Sequence, residues 1–404
     1  MRAFVTAVPL HVGLGRQRSD AAPDAMRAVI AALLLGSVGA ALGFIEYTTS
    51  PPGGLSPDQV PQFVLFTHDD AVNSESYAAV RSIANGREIN GCPITATMFT
   101  KVDGTECSDL VDLYNSGFEV ADHSITHSSF PELSEDGIRE EIVGARQQLA
   151  ECGIPEEAIV GVRTPFLRTN PTVRQIIHDS GFLYDSTQRI RGDPAARAWP
   201  WDMTNGIPNC DSNGTQACDS SESYPGLFEV PVWFLDAQGH EYHMNYGEDG
   251  AVDVFTFLKE AFDASYNGNR APFPLFVHTP WIEEFDQGLR AFVDYAATKP
   301  DVYFITVRQL LAWMQNPVPK DQMSPEALGC GNQGGTGPSG SVPPSPAGPA
   351  PSPAEEGGAE APAPSKERKK ERIRPWAWIE EAGRAGRPEG HALPATMLGG
   401  GGGA

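Results

Sequence analysis

Positive charge is scarce in this sequence: 29 lysines and arginines stand against 52 aspartates and glutamates, giving a formal net charge of -23 at pH 7. Nucleic acids bind proteins largely through lysine and arginine contacts to phosphate, and anionic membrane surfaces attract basic segments in the same way. The charge balance therefore argues against a nucleic-acid partner. It favours a neutral or weakly cationic one.

An apolar run long enough for a comfortable membrane span is also lacking. Residues 28–42 are apolar, follow Met26-Arg27 and end in small residues around Ala40 and Gly43. A membrane span needs about 20 apolar residues, whereas a positive start and a small-residue end are typical of a cleaved secretory signal. We predict a leader and signal peptide in residues 1–43, no integral membrane anchor, and a secreted protein of the extracellular space or cell wall. The alternative for residues 28–42 is a transmembrane anchor or an ordinary core helix.

No two cysteines have the Cys-x-x-Cys spacing, which argues against a cysteine zinc knuckle. The cysteines form an even set, and in a secreted chain such a set predicts disulfides. Cys210 and Cys218 could close a small loop, but the pairing as a whole stays open. The six cysteines are Cys92, Cys107, Cys152, Cys210, Cys218 and Cys330.

A chain of 404 residues, 40% of them hydrophobic, can form one large globular domain. Residues 331–364 are dominated by Gly, Pro, Ser and Ala and have too little apolar surface to fold. We predict one folded domain over residues 58–320 and a low-complexity, disordered tail over residues 331–404. The basic run Lys366–Arg374 in this tail is either a site for a polyanion or wall polymer or, as we favour, a solvated segment.

Short β-rich runs alternate with amphipathic stretches from about Gln62 to Gln315, a pattern that predicts parallel strands joined by crossover helices. Ser134 can cap one such helix, and Asn170 with Pro171 can begin another. We expect an α/β fold, a distorted or incomplete TIM-type (β/α) barrel, with a doubly wound sheet as the alternative. The candidate strands are Gln62–Thr67, Ile94–Phe99, Phe118–Asp122, Ile159–Thr164, Phe182–Asp185, Leu227–Trp233, Leu275–His278 and Val302–Thr306.

Candidate metal ligands follow two of these strands. His123 and His127 come after the third strand, and Asp69 and Asp70 end the first. Two histidines four residues apart can reach one ion, although this spacing alone is a weak signal that also fits two surface histidines. In a barrel, the carboxyl ends of the strands form the active site. We predict Asp70, His123 and His127 as metal ligands, with Asp69 on the same sharp turn left free as a general base.

Two further strand ends carry groups that suit a hydrolytic site. Arg163 closes the fourth strand and His278 closes the seventh. An arginine beside Asp69 would favour the ionised carboxylate, and a histidine opposite could deliver a proton to a leaving amine. Taken singly, Arg163 is more often a salt-bridge residue and His278 a core histidine. Four strand ends with complementary groups favour the hydrolytic interpretation.

These motifs resemble those of the polysaccharide deacetylases, carbohydrate esterase family four, and particularly of chitin deacetylases. The similarity spans about Pro61 to Pro317, and His68 replaces the usual aromatic residue of the first motif. The matching segments are Thr67-His68-Asp69-Asp70, His123-Ser-Ile-Thr-His127, Arg163-Thr-Pro-Phe166 and Phe276-Val277-His278.

The resemblance implies the roles of the site residues. Zn²⁺ is the expected cofactor, with another divalent metal such as Co²⁺ as an alternative, and chitin or another N-acetylated polysaccharide is the expected partner. The implied reaction is hydrolysis of N-acetyl groups to give chitosan and acetate. Peptidoglycan or acetylated xylan as substrate, or a catalytically silent chitin-binding relative, are the alternatives. The implied residues are Asp70, His123 and His127 as ligands, Asp69 as base, Arg163 as its partner, His278 as acid, Asp185 as the carboxylate that tunes it, the Phe166 amide as oxyanion donor and Trp281 as a substrate contact.

Overall fold

The computed structural model describes residues 45–84, 86–208, 210, 214–335 and 337. All of these lie in the first of two units, Met1–Ala350, and the second unit is Pro351–Ala404. The predicted leader and signal peptide, and the predicted tail beyond residue 337 with its basic run, lie outside the described residues. Within the described part, no helix is long and apolar enough to cross a membrane.

In the part of the chain that the structure describes, eight parallel strands form the main sheet, one at each predicted position. A ninth strand, Trp201–Met203, pairs antiparallel with the sixth. Every residue of the first strand is buried, as expected for a parallel sheet that is covered on both faces. The parallel strands are β1 (Gln62–Asp69), β2 (Thr97–Thr100), β3 (Glu119–Asp122), β4 (Gly161–Val162), β5 (Tyr184–Asp185), β6 (Tyr224–Glu229), β7 (Phe273–Val277) and β8 (Val302–Phe304).

The strand order is β7-β1-β2-β3-β4-β5-β6, with β8 also paired to β1. Val64 of β1 is in register with Phe273 of β7 and with Phe304 of β8. Because a strand has two edges, β8 lies on the edge opposite β7, beside the amino-terminal part of β1. Among the described residues no ladder joins β6 to β7, so the barrel is open there. The prediction of a distorted or incomplete barrel is confirmed, and the sequential order is not that of a doubly wound sheet.

All eight strands differ from their predicted bounds by one or more residues, and two of these differences bear on the site. β1 runs on to Asp69, so the first of the paired aspartates still belongs to the sheet. β6 ends at Glu229, because Pro231 has no N–H to continue a ladder. The residues beyond it, Val232–Trp233, pair instead with Arg189–Ile190 in a separate two-stranded sheet.

Two helices begin at the caps that the sequence predicts. The Ser134 side chain accepts a hydrogen bond from the Gly137 amide, and the Asn170 side chain accepts one from Val173. Two further strand pairs are Glu88–Ile89 with Cys92–Pro93 and Leu235–Ala237 with His240–Tyr242. Over residues 45–337, apart from the undescribed gaps, the helices are Ser74–Ala84, Cys107–Asn115, Glu135–Glu151, Pro171–Asp179, Val254–Asn267, Thr279–Glu284, Asp286–Ala297, Val307–Gln315 and Pro325–Leu328.

One disulfide and a packed pair of glycines attach the last described residues to the domain. Thr306 Oγ1 donates to the Gly335 carbonyl at 2.6 Å. A Cβ at Gly334 would lie 2.3 Å from the Tyr114 ring, so only glycine fits there. Gly334 and Gly335, near the start of the predicted tail, are therefore packed against the domain. The disulfides are Cys92–Cys330, Cys107–Cys152 and Cys210–Cys218, which include the predicted small loop.

Candidate active site

Three predicted metal ligands come together at the carboxyl ends of β1 and β3. Single donor atoms of Asp70, His123 and His127 all lie within 4.8 Å of one another. His127 Nε2 is 3.6 Å from Asp70 Oδ1. Burial lowers the pKa of His123 and brings that of His127 to about 4, which favours the neutral imidazoles that bind metals. One carboxylate and two imidazoles suit a zinc ion with one open position, so the residues fit a divalent metal.

The segment that carries both histidines is a tight turn. Ser124 has a φ of 74° and His127 a φ of 65°, values that residues other than glycine rarely adopt. The Ser124 hydroxyl accepts the His127 amide at 2.9 Å, and Asp122 Oδ1 accepts the Ser124 amide at 2.7 Å. Asp70 has a φ of 89°, which gives the sharp turn predicted after Asp69. Strained backbone of this kind is characteristic of functional sites.

Glu141 holds this histidine turn from outside, and the sequence analysis missed it. Its Oε2 accepts the amides of Ile125 and Thr126 at 3.0 and 2.9 Å, and its Oε1 accepts the Thr126 hydroxyl at 2.6 Å. Glu141 is only 8% exposed, on the buried face of helix Glu135–Glu151. The only signal in the sequence was that Glu141, a charged residue, is next to Ile142 on the predicted buried face of the helix.

Asp69 and Arg163 form a buried ion pair beside the ligands. Arg163 Nη1 donates to Asp69 Oδ1 at 2.6 Å, and the two side chains are 0% and 3% exposed. Burial by itself would raise the pKa of Asp69, but the charge of Arg163, with smaller contributions from two histidines, brings it below its usual value. Arg163 is fixed in turn by the carbonyl and hydroxyl oxygens of Ser186, both at 2.9 Å. Asp69 is thus held as an oriented carboxylate.

The backbone of Arg163 also orients a ligand. His123 Nδ1 lies 2.7 Å from the Arg163 carbonyl oxygen. A hydrogen bond of this kind fixes the ring and its tautomer, and leaves Nε2 as the nitrogen for a metal. Arg163, which follows β4, therefore orients both the predicted base Asp69 and the predicted ligand His123.

His278 lies at the end of β7, where it precedes helix Thr279–Glu284. Its Nδ1 and its backbone amide both lie 3.1 Å from Asn245 Oδ1. An amide oxygen only accepts hydrogen bonds, so Nδ1 carries the proton and Nε2 is the free position. The sequence analysis missed Asn245, whose φ of 48° places it in a turn that asparagine tolerates.

Asp185, the predicted partner of His278, forms no hydrogen bond with it among the described residues. Asp185 is fully buried at the end of β5 and accepts a hydrogen bond from the Thr187 hydroxyl. Burial raises the pKa of Asp185 to about 6. Burial, with a smaller contribution from the charge of Asp185, also raises the pKa of Glu229 on β6. Among the described residues, the side chain that hydrogen-bonds His278 is Asn245.

Phe166 and Trp281, the predicted substrate contacts, differ in exposure. Phe166 is 47% exposed, has a φ of 59°, and its ring centroid lies 4.5 Å from that of His127. Trp281 is 3% exposed, and its Nε1 donates to the Tyr246 carbonyl at 3.0 Å. The prediction for Trp281 is corrected here, because a buried ring with its N–H already bonded packs beneath the site and offers no surface to substrate.

His68 is buried beneath the site. Its Nε2 lies 2.8 Å from Thr279 Oγ1, and burial lowers its pKa to about 4. A cavity of about 270 Å³ lies beside the neighbouring residues Asp69 and Thr279. Its lining includes Asp69, Asp70, Lys101, Thr279 and Glu283.

This fold and site define a hydrolase of open-barrel architecture with a candidate metal centre. A sequence model of the family "Polysaccharide deacetylase" matches residues 57–184, which include Asp69, the predicted ligands and Arg163. Chitin deacetylase 8 of Bombyx mori is 32% identical over 296 residues, or 68% of this chain and 76% of that protein. The chain belongs to the polysaccharide deacetylase family, and the resemblance drawn from the motifs is confirmed.

Two other similar proteins match this chain over different shares of their length. Chitin deacetylase 1 of Bombyx mori is 30% identical over 67% of this chain and 54% of that protein. A family 4 carbohydrate esterase from Streptomyces lividans, solved in complex with acetate, is 15% identical with a TM-score of 0.38, over 61% of this chain and 93% of that one.

Proposed function

We propose that this polysaccharide deacetylase removes N-acetyl groups from chitin or chito-oligosaccharides, depends on zinc, and is secreted. The observation that carries the proposal is the buried Asp69–Arg163 pair directly beside the cluster of Asp70, His123 and His127. It unites a fixed carboxylate with a set of metal-binding donors, as amide hydrolysis by activated water requires.

Asp70, His123 and His127 would hold the metal. A divalent ion bound there supplies a Lewis acid for the acetyl carbonyl and the attacking water. Zinc suits the donor set best, and cobalt is the alternative. The hydrogen bond from His123 to the Arg163 carbonyl prepares one ligand before the metal arrives.

Asp69 acts as the general base. Its ion pair with Arg163 keeps it ionised and fixes one carboxylate oxygen, which leaves the other to take a proton from water. His278 in its doubly protonated form donates the Nε2 proton to the departing sugar amine, while its Nδ1–H stays hydrogen-bonded to Asn245. The backbone amide of Phe166 stabilises the oxyanion that forms when water attacks the acetyl carbon.

Chitin is the proposed substrate because two relatives carry chitin deacetylase in their names and because the acidic chain suits a neutral glycan. Secretion is proposed from the predicted signal peptide and agrees with three disulfides, which persist in oxidising compartments. Sequencing the amino terminus of protein recovered from the culture medium tests secretion. A mature chain that still carries residues 28–42 would contradict it.

The substrate is tested by incubating the zinc-loaded protein with chitin oligomers, peptidoglycan and acetylated xylan and measuring acetate. We expect the fastest release from the chitin oligomers. Faster release from another glycan would reassign the substrate, and glycan binding without turnover would identify a silent relative.

The residue roles are tested by two neighbouring substitutions. Asp69→Asn should retain zinc and lower kcat by about 10²- to 10⁴-fold, because it removes the base but not a ligand. Asp70→Asn should lose zinc itself. Acetate release near the wild-type rate in Asp69→Asn or in His278→Ala would overturn the corresponding role.

A further inference from the structure

The side-chain amide of Gln216 joins three segments around the candidate active site. Its Nε2 donates to the carbonyl oxygens of Leu167 at 2.9 Å and Thr187 at 2.7 Å. Its Oε1 accepts the backbone amide of Arg189 at 3.0 Å. Leu167 follows the Arg-x-Pro-Phe motif, and Thr187 follows β5. One side chain from a remote loop therefore binds the backbone next to both strand ends.

The turn that Gln216 binds is strained. Phe166 and Leu167 have consecutive positive φ values of 59° and 52°, which residues with side chains adopt only when their surroundings hold them there. The Leu167 amide donates back to the Thr164 carbonyl at 3.0 Å. The hydrogen bond from Gln216 Nε2 fixes the carbonyl group of Leu167. Its loss would let the turn relax and move the Phe166 amide.

The loop that presents Gln216 is itself fixed on both sides of this residue. The disulfide Cys210–Cys218 closes it. Before Gln216, the Thr215 carbonyl accepts the amide of Thr169 at 3.1 Å. After it, the Ala217 carbonyl accepts Arg174 Nη2 at 2.7 Å, and Arg174 is 3% exposed. Gln216 is therefore held in place by covalent and hydrogen-bonded contacts that do not depend on substrate.

Arg174 connects this loop to the packed core. It forms a two-pronged ion pair with Glu222, with Nε–Oε2 at 2.7 Å and Nη2–Oε1 at 2.9 Å. The ion pair is almost fully buried, with side-chain exposures of 4% and 5%. Fork-to-fork geometry of this kind fixes orientation as well as position.

We propose that Gln216 is a positioning residue that sets the Phe166–Leu167 turn for oxyanion binding. The proposal rests on the proposed function, in which the Phe166 amide meets the oxyanion. Gln216 acts on the transition state through this turn, so its loss lowers kcat more than it raises KM.

The test compares Gln216→Ala and Gln216→Glu with the wild type by acetate release and by hydrogen exchange of the segment 165–169. Glutamate keeps the acceptor for Arg189 but cannot donate to Leu167 or Thr187. We expect both variants to lower kcat by about tenfold or more, with KM little changed, since small misplacements of catalytic groups have effects of this size. Amides of the segment should exchange faster in both.

Gln188→Ala is the matched control. Gln188 Nε2 donates to the Pro208 carbonyl at 2.9 Å, so its loss also removes a hydrogen bond that docks this loop, but none to the Phe166 turn. Its kcat and its exchange in 165–169 should stay at wild-type values. Unchanged kcat and exchange in Gln216→Ala, or equal losses in Gln188→Ala, would overturn the proposal. A wild-type protein that releases no acetate would refute the proposed function, and the exchange comparison would still decide the role of Gln216.

Discussion

His68 Nε2 and Thr279 Oγ1 lie 2.8 Å apart, so the residue before Asp69 is joined to the residue after His278. The proposed base and acid are thereby linked through their neighbours on β1 and on the helix after β7. His68 Nδ1 is buried without a hydrogen-bond partner among the described residues. This histidine therefore makes one specific contact at the position where the family usually has an aromatic residue.

We expect His68→Phe to lower the free energy of unfolding by about 1–2 kcal/mol and to leave kcat nearly unchanged. The phenylalanine fills the space but leaves the Thr279 hydroxyl without its bond. Urea unfolding and acetate release measure the two effects. Adding Thr279→Val should recover part of the loss, because both partners are then apolar. A large fall in kcat would show instead that His68 takes part in the chemistry.

We expect Glu141→Ala to weaken zinc binding by about 10- to 100-fold, the usual effect of removing a group that orients metal ligands. The amides of Ile125 and Thr126 lose their acceptor, so the histidine turn is no longer fixed. Competition with a chelator measures the affinity. Glu140→Ala, on the exposed face of the same helix, is the control and should bind zinc like the wild type. Equal affinities for all three proteins would contradict the role of Glu141.

We expect Asn245→Gly to lower kcat by about tenfold or more, and Asn245→Asp to retain most of it. Glycine accepts the positive φ but removes the acceptor that orients His278, whereas aspartate keeps an oxygen in the same place. Steady-state acetate release at saturating chitin oligomer measures kcat. If the glycine variant were as active as the aspartate variant, His278 would not depend on Asn245 for its orientation.

His243 should make the protein less stable in acid. Its ring packs at 4.9 Å from that of Phe234, and burial, with the charges of Arg189 and Arg191, lowers its pKa to about 4. The unfolded histidine has a pKa of about 6.5, so the unfolded state binds more protons between these values. The stability that the neutral ring contributes is complete above pH 6.5 and is lost as the pH falls through about 4.

The corresponding variant is His243→Gln, whose side chain does not titrate. Relative to this variant, the wild type should lose about 2–3 kcal/mol of unfolding free energy between pH 7 and pH 4. Urea unfolding at several pH values measures the difference. Parallel stability curves for the two proteins would show that His243 does not cause the acid sensitivity.

The strand positions and the candidate ligand set were predictable because their signals are local. Runs such as Gln62–Thr67 are apolar over a strand length, and His123 and His127 are close in sequence. Asn245 and Gln216 gave no comparable signal. Each acts on backbone or side-chain atoms about 30 or more residues away along the chain, and neither position has a distinctive pattern around it.

The sequence by itself determined the order of strands and helices, the segments that carry the candidate ligands, and the family. It did so because apolar periodicity, caps and short motifs are properties of neighbouring residues. Only the tertiary structure decided that Asn245 rather than Asp185 contacts His278, that Trp281 is buried, and that a disulfide loop reaches the Phe166 turn. These outcomes depend on how distant segments pack, and close packing is set by the whole core at once.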